Sequence, residues 1–149
     1  MMNRTGRHRG DRGSVLMLVP AAVLVLVVLG AIAIDSAIVV LAQRDLANRA
    51  AAAANDAAGF AVSEEDFYRT THGTVELDEA RAAAFVELTF ADERRPPNYE
   101  AWSGRVVTDG PQVVVEATAR VRYLFAPAIP GAARAATVTA RSTATARGG

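Results

Sequence analysis

Three adjacent carboxylates, Glu64, Glu65 and Asp66, form the densest group of potential metal ligands in the chain. A Ca²⁺ site needs oxygen ligands spaced around a loop so that they converge on the ion. Three acids in a row, without that spacing, are expected to be a solvated linker. A zinc site draws on several nitrogen or sulfur ligands, but this chain has no cysteine and only His8 and His72, far apart in sequence. Ser14, Ser36, Ser63, Ser103 and Ser142 lack a plausible His–Asp setting for nucleophilic catalysis. The glycines form no phosphate-cradling fingerprint. Glu76, Asp78 and Glu79 fall at a helix start, where carboxylates favour the helix dipole. The expectation is a protein without catalytic, cofactor-binding or metal-binding residues, and so not an enzyme.

Asp35 is the carboxylate that needs a reason. It interrupts an apolar run, "GAIAIDSAIVV", and directly follows twenty uncharged residues, Val15 to Ile34. Twenty helical residues span about 30 Å, the thickness of a bilayer's hydrocarbon core. An ionised aspartate at the centre of that core costs about 2.5–3.5 kcal/mol; just past the run, water and headgroups are expected to reach it. Arg4, Arg7, Arg9 and Arg12 precede the run against Asp11 alone, which favours a cytoplasmic N-terminus. A cleaved secretory signal is the competing reading, but its apolar core is shorter and ends at a small-x-small site. The chain therefore divides into a basic cytoplasmic tail (1–13), a transmembrane helix (14–34), an amphipathic helical extension (35–60) and a small extracytoplasmic α+β domain (61–149).

The helical pattern continues beyond Asp35. Val39, Ala42, Leu46, Ala50, Ala53, Ala57 and Phe60 recur at steps of three or four, and no Pro or Gly intervenes between Gly30 and Gly59. One helix is expected from about Ser14 to about Gly59. Ala50, Ala53 and Ala57 carry little bulk, so another element can approach closely there. That element is either a partner or the helix's own domain.

A second helical stripe runs through Leu77, Ala80, Ala84, Leu88 and Ala91, and Pro96-Pro97 ends it, although "FVELTF" within it also reads as a strand. The period then changes to two. Val113, Val115, Ala117, Ala119, Val121, Tyr123 and Phe125 alternate with polar residues, as do Ala136, Val138, Ala140, Ser142, Ala144 and Ala146. Asp109-Gly110 signals a hairpin, with Pro111 expected at a strand's first position. A meander of three antiparallel strands results, one face packed on the helices. "YLFAPAIPGAA", residues 123–133, is almost wholly apolar but holds two prolines. It reads either as a loop packed on the core or as an exposed patch, with Phe125 and Ile129, for a partner or a membrane surface.

The segment "RGSVLMLVPAAVLVLVVLGAIAID", followed by "RDLANRAAAAANDAAGFA", resembles the N-terminal region of the TadE/TadG-like proteins of bacterial tight-adherence (Flp) pilus assembly. Arg12, Gly13 and Ser14 match the family's start and Asp35 its acidic position. Arg44 and Leu46 match the middle, and Asn55, Asp56, Ala57 and Ala58 the closing element. The resemblance covers about a third of the chain. It implies a pilin-like architecture and a membrane-anchored structural or assembly component, whose partners are other pilus-assembly or secretion membrane proteins. Asp35, Ala50, Ala53, Ala57, Phe125 and Ile129 are then the candidate partner-facing residues, Asp35 meeting a cationic or amide group on a partner's helix. Prepilin-type processing expects a glutamate at the fifth position after the glycine. Leu18 stands there, so an uncleaved chain is expected.

Sixteen basic and sixteen acidic residues leave no formal net charge, so nothing in the balance favours nucleic acid. No small-molecule substrate is expected. The partners expected are the lipid bilayer and other membrane proteins. The alternative is a membrane-tethered extracytoplasmic binding module unrelated to pili.

Overall fold

A computed structural model describes residues 12–60, 77–91 and 94–146, with side chains from residue 18 onward. The long helix α1 runs Arg12–Phe60 without a break, 49 residues or about 73 Å. Pro20 lies inside it. It is the single helix among the described residues that is long and apolar enough to cross a membrane. Its first half exposes nearly every large side chain from Leu18 to Ile34. Its second half buries Ala42, Leu46, Ala50, Ala53, Ala54, Ala57 and Ala58. The change follows from what packs there, since the domain begins to cover the helix at Asp35.

Helix α2, Glu79–Thr89, starts at an N-cap: Asp78 Oδ1 accepts from the Arg81 N–H at 3.1 Å. Its buried face is Ala82, Val86 and Phe90, not the stripe read from the sequence. Leu77 is buried, but Ala80, Ala84 and Leu88 face outward, Leu88 at 65 % exposure. Two faces of this short helix carry apolar residues at helical spacing, and the one with the larger aromatic end, Phe90, reaches the sheet. Phe85 lies between the faces and stacks on Phe60, centroids 5.1 Å apart. Phe60 itself is exposed, so the stripe of α1 leaves the core at its last residue.

Strands β1 (Tyr99–Asp109), β2 (Gln112–Arg122) and β3 (Ala135–Thr145) form an antiparallel sheet in the order β1-β2-β3. The architecture is α+β: among the described residues, two α-helices and one three-stranded meander. Asp109 pairs with Gln112, so the connection is Gly110-Pro111. Gly110 has φ +55°, as the first central position of a type II′ turn requires. Pro111 thus occupies the turn and does not begin the strand, since its missing N–H costs nothing there.

The sheet's inner face, Val113, Val115, Ala117, Ala119 and Val121 with Val138 and Ala144, lies against α1, and α2 covers β1. The outer face is mostly wet, with Val114 covered at 9 % exposure, and is cross-linked in register. Glu116 sits between Arg105 and Arg141, with Arg105 at 2.6 Å and Arg141 at 3.9 Å. One core therefore joins the second half of α1 to Leu77, α2 and the inner face of the three strands. Its bulk lies in an aromatic corner: Phe90 and Trp102 meet edge to face at 5.2 Å, and Tyr99 joins them at 6.3 Å. Gly104 is the floor of that corner, because a Cβ there would run into the Phe90 ring.

The alanine stripe is close-packed on one side only, which separates two otherwise identical substitutions. Ala53→Leu should destabilise the protein by about 1–3 kcal/mol through overpacking, whereas Ala52→Leu, on the exposed side, should be tolerated. Thermal denaturation of both variants in the same detergent checks this, and equal melting temperatures would refute it.

Candidate functional site

The site is built where the β2–β3 connection meets α1. Stepping back four residues along the buried stripe from Val39 arrives at Asp35, so its side chain points toward the domain and not away from it. It is 7 % exposed and is the one charged side chain buried among the described residues. The connection leaves β2 at Arg122 and closes at its root through the Tyr123 N–H, which donates to the Arg134 carbonyl at 3.0 Å. Between these ends the N–H groups of Leu124, Phe125 and Ala126 have no strand to bond. Asp35 supplies the acceptors. Oδ1 accepts from Leu124 at 2.7 Å and Phe125 at 3.0 Å; Oδ2 accepts from Phe125 at 3.2 Å and Ala126 at 2.7 Å.

Successive backbone N–H groups converging on one anion form a nest, a concavity with positive partial charge. Here the anion belongs to the chain itself. In place of the cationic or amide group expected on a partner's helix, Asp35 meets backbone N–H groups of the protein's own loop and is shielded from solvent. The reason is the helical phase: Asp35 shares the face of Ala42, Leu46 and Ala50. Beyond Ala126 the loop satisfies itself through a 3₁₀ turn, Ala126–Ala128, and the Ala132 N–H donating to Ile129.

With the loop's backbone held inward, its side chains face out. Leu124 is 64 %, Phe125 40 % and Ile129 54 % exposed. Of the two readings of residues 123–133, the exposed patch is the one seen. Ala50, Ala53 and Ala57 have the opposite fate. All three lie in the core of their own domain, so the close approach they permit is made by the chain's own sheet and α2. Ala54 and Ala58, missed as buried positions, form a second row of the same face.

Two further polar ties hold α1 to the sheet. Gln43 Nε2 donates to the Thr139 carbonyl at 3.0 Å. The Tyr99 hydroxyl lies 3.2 Å from the Ala42 carbonyl and 3.1 Å from Asp45 Oδ2. Arg49 bridges to Asp45 at 2.9 Å and also covers the Trp102 ring at 5.4 Å. Burial, then the hydrogen bond and charge of Asp45, push the Tyr99 hydroxyl up to about 12.

No group of three or more His, Asp or Glu side chains is arranged to hold a metal among the described residues. Glu64, Glu65, Asp66, His8, His72 and Glu76 lie outside those residues. No family model, curated protein or solved structure matches the chain.

The Asp35 nest and the Tyr99 tie each predict a measurement. An asparagine at 35 offers one acceptor oxygen and turns an NH₂ toward the loop's N–H groups. Asp35→Asn should lower the melting temperature and speed hydrogen exchange at Leu124, Phe125 and Ala126, with the exchange of β2 amides less affected. Unchanged exchange at those three amides would show that the carboxylate is dispensable.

For Tyr99 the folded state favours the protonated hydroxyl, against an ordinary value of 10.0. Its contribution to stability is complete below about pH 10 and is lost as pH rises toward 12. Titration of tyrosinate absorbance should show one late step near 12 that is missing in Tyr99→Phe. A wild-type curve without that step would contradict the tie.

Proposed function

We propose that the protein is a single-pass, membrane-anchored structural or assembly component of a tight-adherence (Flp-type) pilus or a related secretion system, with its N-terminus in the cytoplasm and its α+β domain outside. The observation that carries this reading is the continuity of α1. One unbroken helix presents lipid-compatible side chains from Leu18 to Ile34 and then serves as the domain's core from Ala42 to Ala58. Such a helix, half in lipid and half under a sheet, is the plan of a pilin-like subunit. It couples the depth and tilt of the span to the position of the domain without a hinge.

The resemblance of residues 12–61 to TadE/TadG-like proteins supplies the system. Arg4, Arg7, Arg9 and Arg12 support the orientation with the N-terminus inside. Leu18, where a processed pilin would carry glutamate, favours an anchored component over a major filament subunit. In this role the protein acts by position: the domain is presented at a set height above the bilayer for other envelope proteins to assemble on.

Affinity purification of the full-length protein from membranes of its own bacterium tests the assignment. A secretion ATPase and polytopic membrane proteins should copurify, and the purified chain should retain residues before Ser14. If those partners are absent and the domain instead binds cell-wall material, the protein is a tethered binding module and the pilus assignment is wrong.

A further inference from the structure

We infer that the Tyr123–Ala133 loop is a second membrane contact, inserting Leu124, Phe125 and Ile129 into the outer interface of the bilayer that α1 crosses. The inference rests on the reading that α1 spans a membrane, but not on the pilus assignment. Four observations carry it.

The first is height. Asp35 is the residue next to the end of the Val15–Ile34 run, and its carboxylate holds the backbone of Leu124, Phe125 and Ala126 directly. The loop is therefore fixed at the level where the apolar span ends.

The second is continuity. Apolar side chains of α1 stay exposed on both sides of that level. Ile32 and Ile34 lie below it; Val40 and Leu41 lie above it, at 52 % and 63 % exposure and about 7–9 Å further along the axis. The loop's exposed side chains extend this belt sideways onto the domain. A shallow cleft of about 470 Å³ joins the two surfaces, lined by Ile32, Asp35, Ser36, Val39, Tyr123 and Ala126, among others.

The third is chemistry. No charge occurs from Tyr123 to Ala133, and the nearest cations, Arg122 and Arg134, stand at the loop's two roots, where phosphate headgroups would lie. Arg122 also shares Glu100 at 3.5 Å. Tyr123 suits the headgroup level, where amphipathic aromatic rings concentrate.

The fourth is the burial of Asp35. A carboxylate facing water needs no shield, but one at the edge of hydrocarbon does. The three N–H groups around Asp35 fill its acceptor sites where water is scarce.

The absence of cysteine makes the test direct. In full-length protein reconstituted into liposomes, Leu124→Cys, Phe125→Cys and Ile129→Cys are each labelled with an environment-sensitive fluorophore. Leu26→Cys reports the span. Val107→Cys, which pairs with Val114 about 26 Å from the loop end of β2, reports the distal domain. The loop labels should shift to the blue and lose emission with lipids spin-labelled near the headgroup. The Leu26 label should be quenched by deeply labelled lipids, and the Val107 label by neither. Quenching at Leu26 without quenching at any loop position overturns the inference and leaves the span reading intact. A blue shift without lipid quenching has the same meaning, because protein then covers the loop. Loss of quenching at Leu26 itself overturns the span reading and the inference with it.

Discussion

A buried carboxylate at the end of an apolar helix is tolerable only if something replaces the water it has lost. Asp35 is compensated by three consecutive backbone N–H groups that face no other strand. Each side of this contact solves the other's problem. The loop would bury unsatisfied donors without the carboxylate, and the carboxylate would be an uncompensated charge without the loop. Because the two partners are 89 to 91 residues apart, the contact also sets the register between α1 and the far end of the sheet.

The rest of the domain depends on how close the helix can come to that sheet. Alanine at positions 50, 53, 54, 57 and 58 reduces the helix surface to little more than its backbone, and the facing strand residues are valine and alanine. The largest fully buried side chains are Leu46, Val86, Val113, Val115 and Val121. A core of such small residues buries modest apolar area per contact. The aromatic corner of Phe90, Tyr99 and Trp102 and the polar ties at Gln43 and Tyr99 therefore matter more than they would in a bulkier core. Gly104 matters for the same reason, since it alone makes room for the Phe90 ring.

The position of the domain is set by the continuity of α1. A hinge after Ile34 would let the domain move independently of the apolar half of the helix. A single helix whose second half is also core cannot bend there without exposing Leu46 and the alanine face. The Asp35 contact braces this stiffness where the exposed apolar half of α1 ends.

Residue type and period were enough to determine the long helix, the period-two strands with valine and alanine inward, the hairpin at Asp109-Gly110 and the order of elements. Those features depend on local geometry and on which residues prefer water, both of which can be read along the chain. The buried face of α2 was not legible, because Ala80, Ala84 and Leu88 repeat with the same period as Ala82, Val86 and Phe90, and periodicity cannot rank two apolar faces. Pro111 was misplaced by one residue for a similar reason: the sequence marks a turn but not its register. The partner of Asp35 was half legible, since the stripe extended back by four positions points it at the domain. That three N–H groups would wait there depends on where a loop 89 residues later is carried by the sheet, and only the tertiary structure brings the two together.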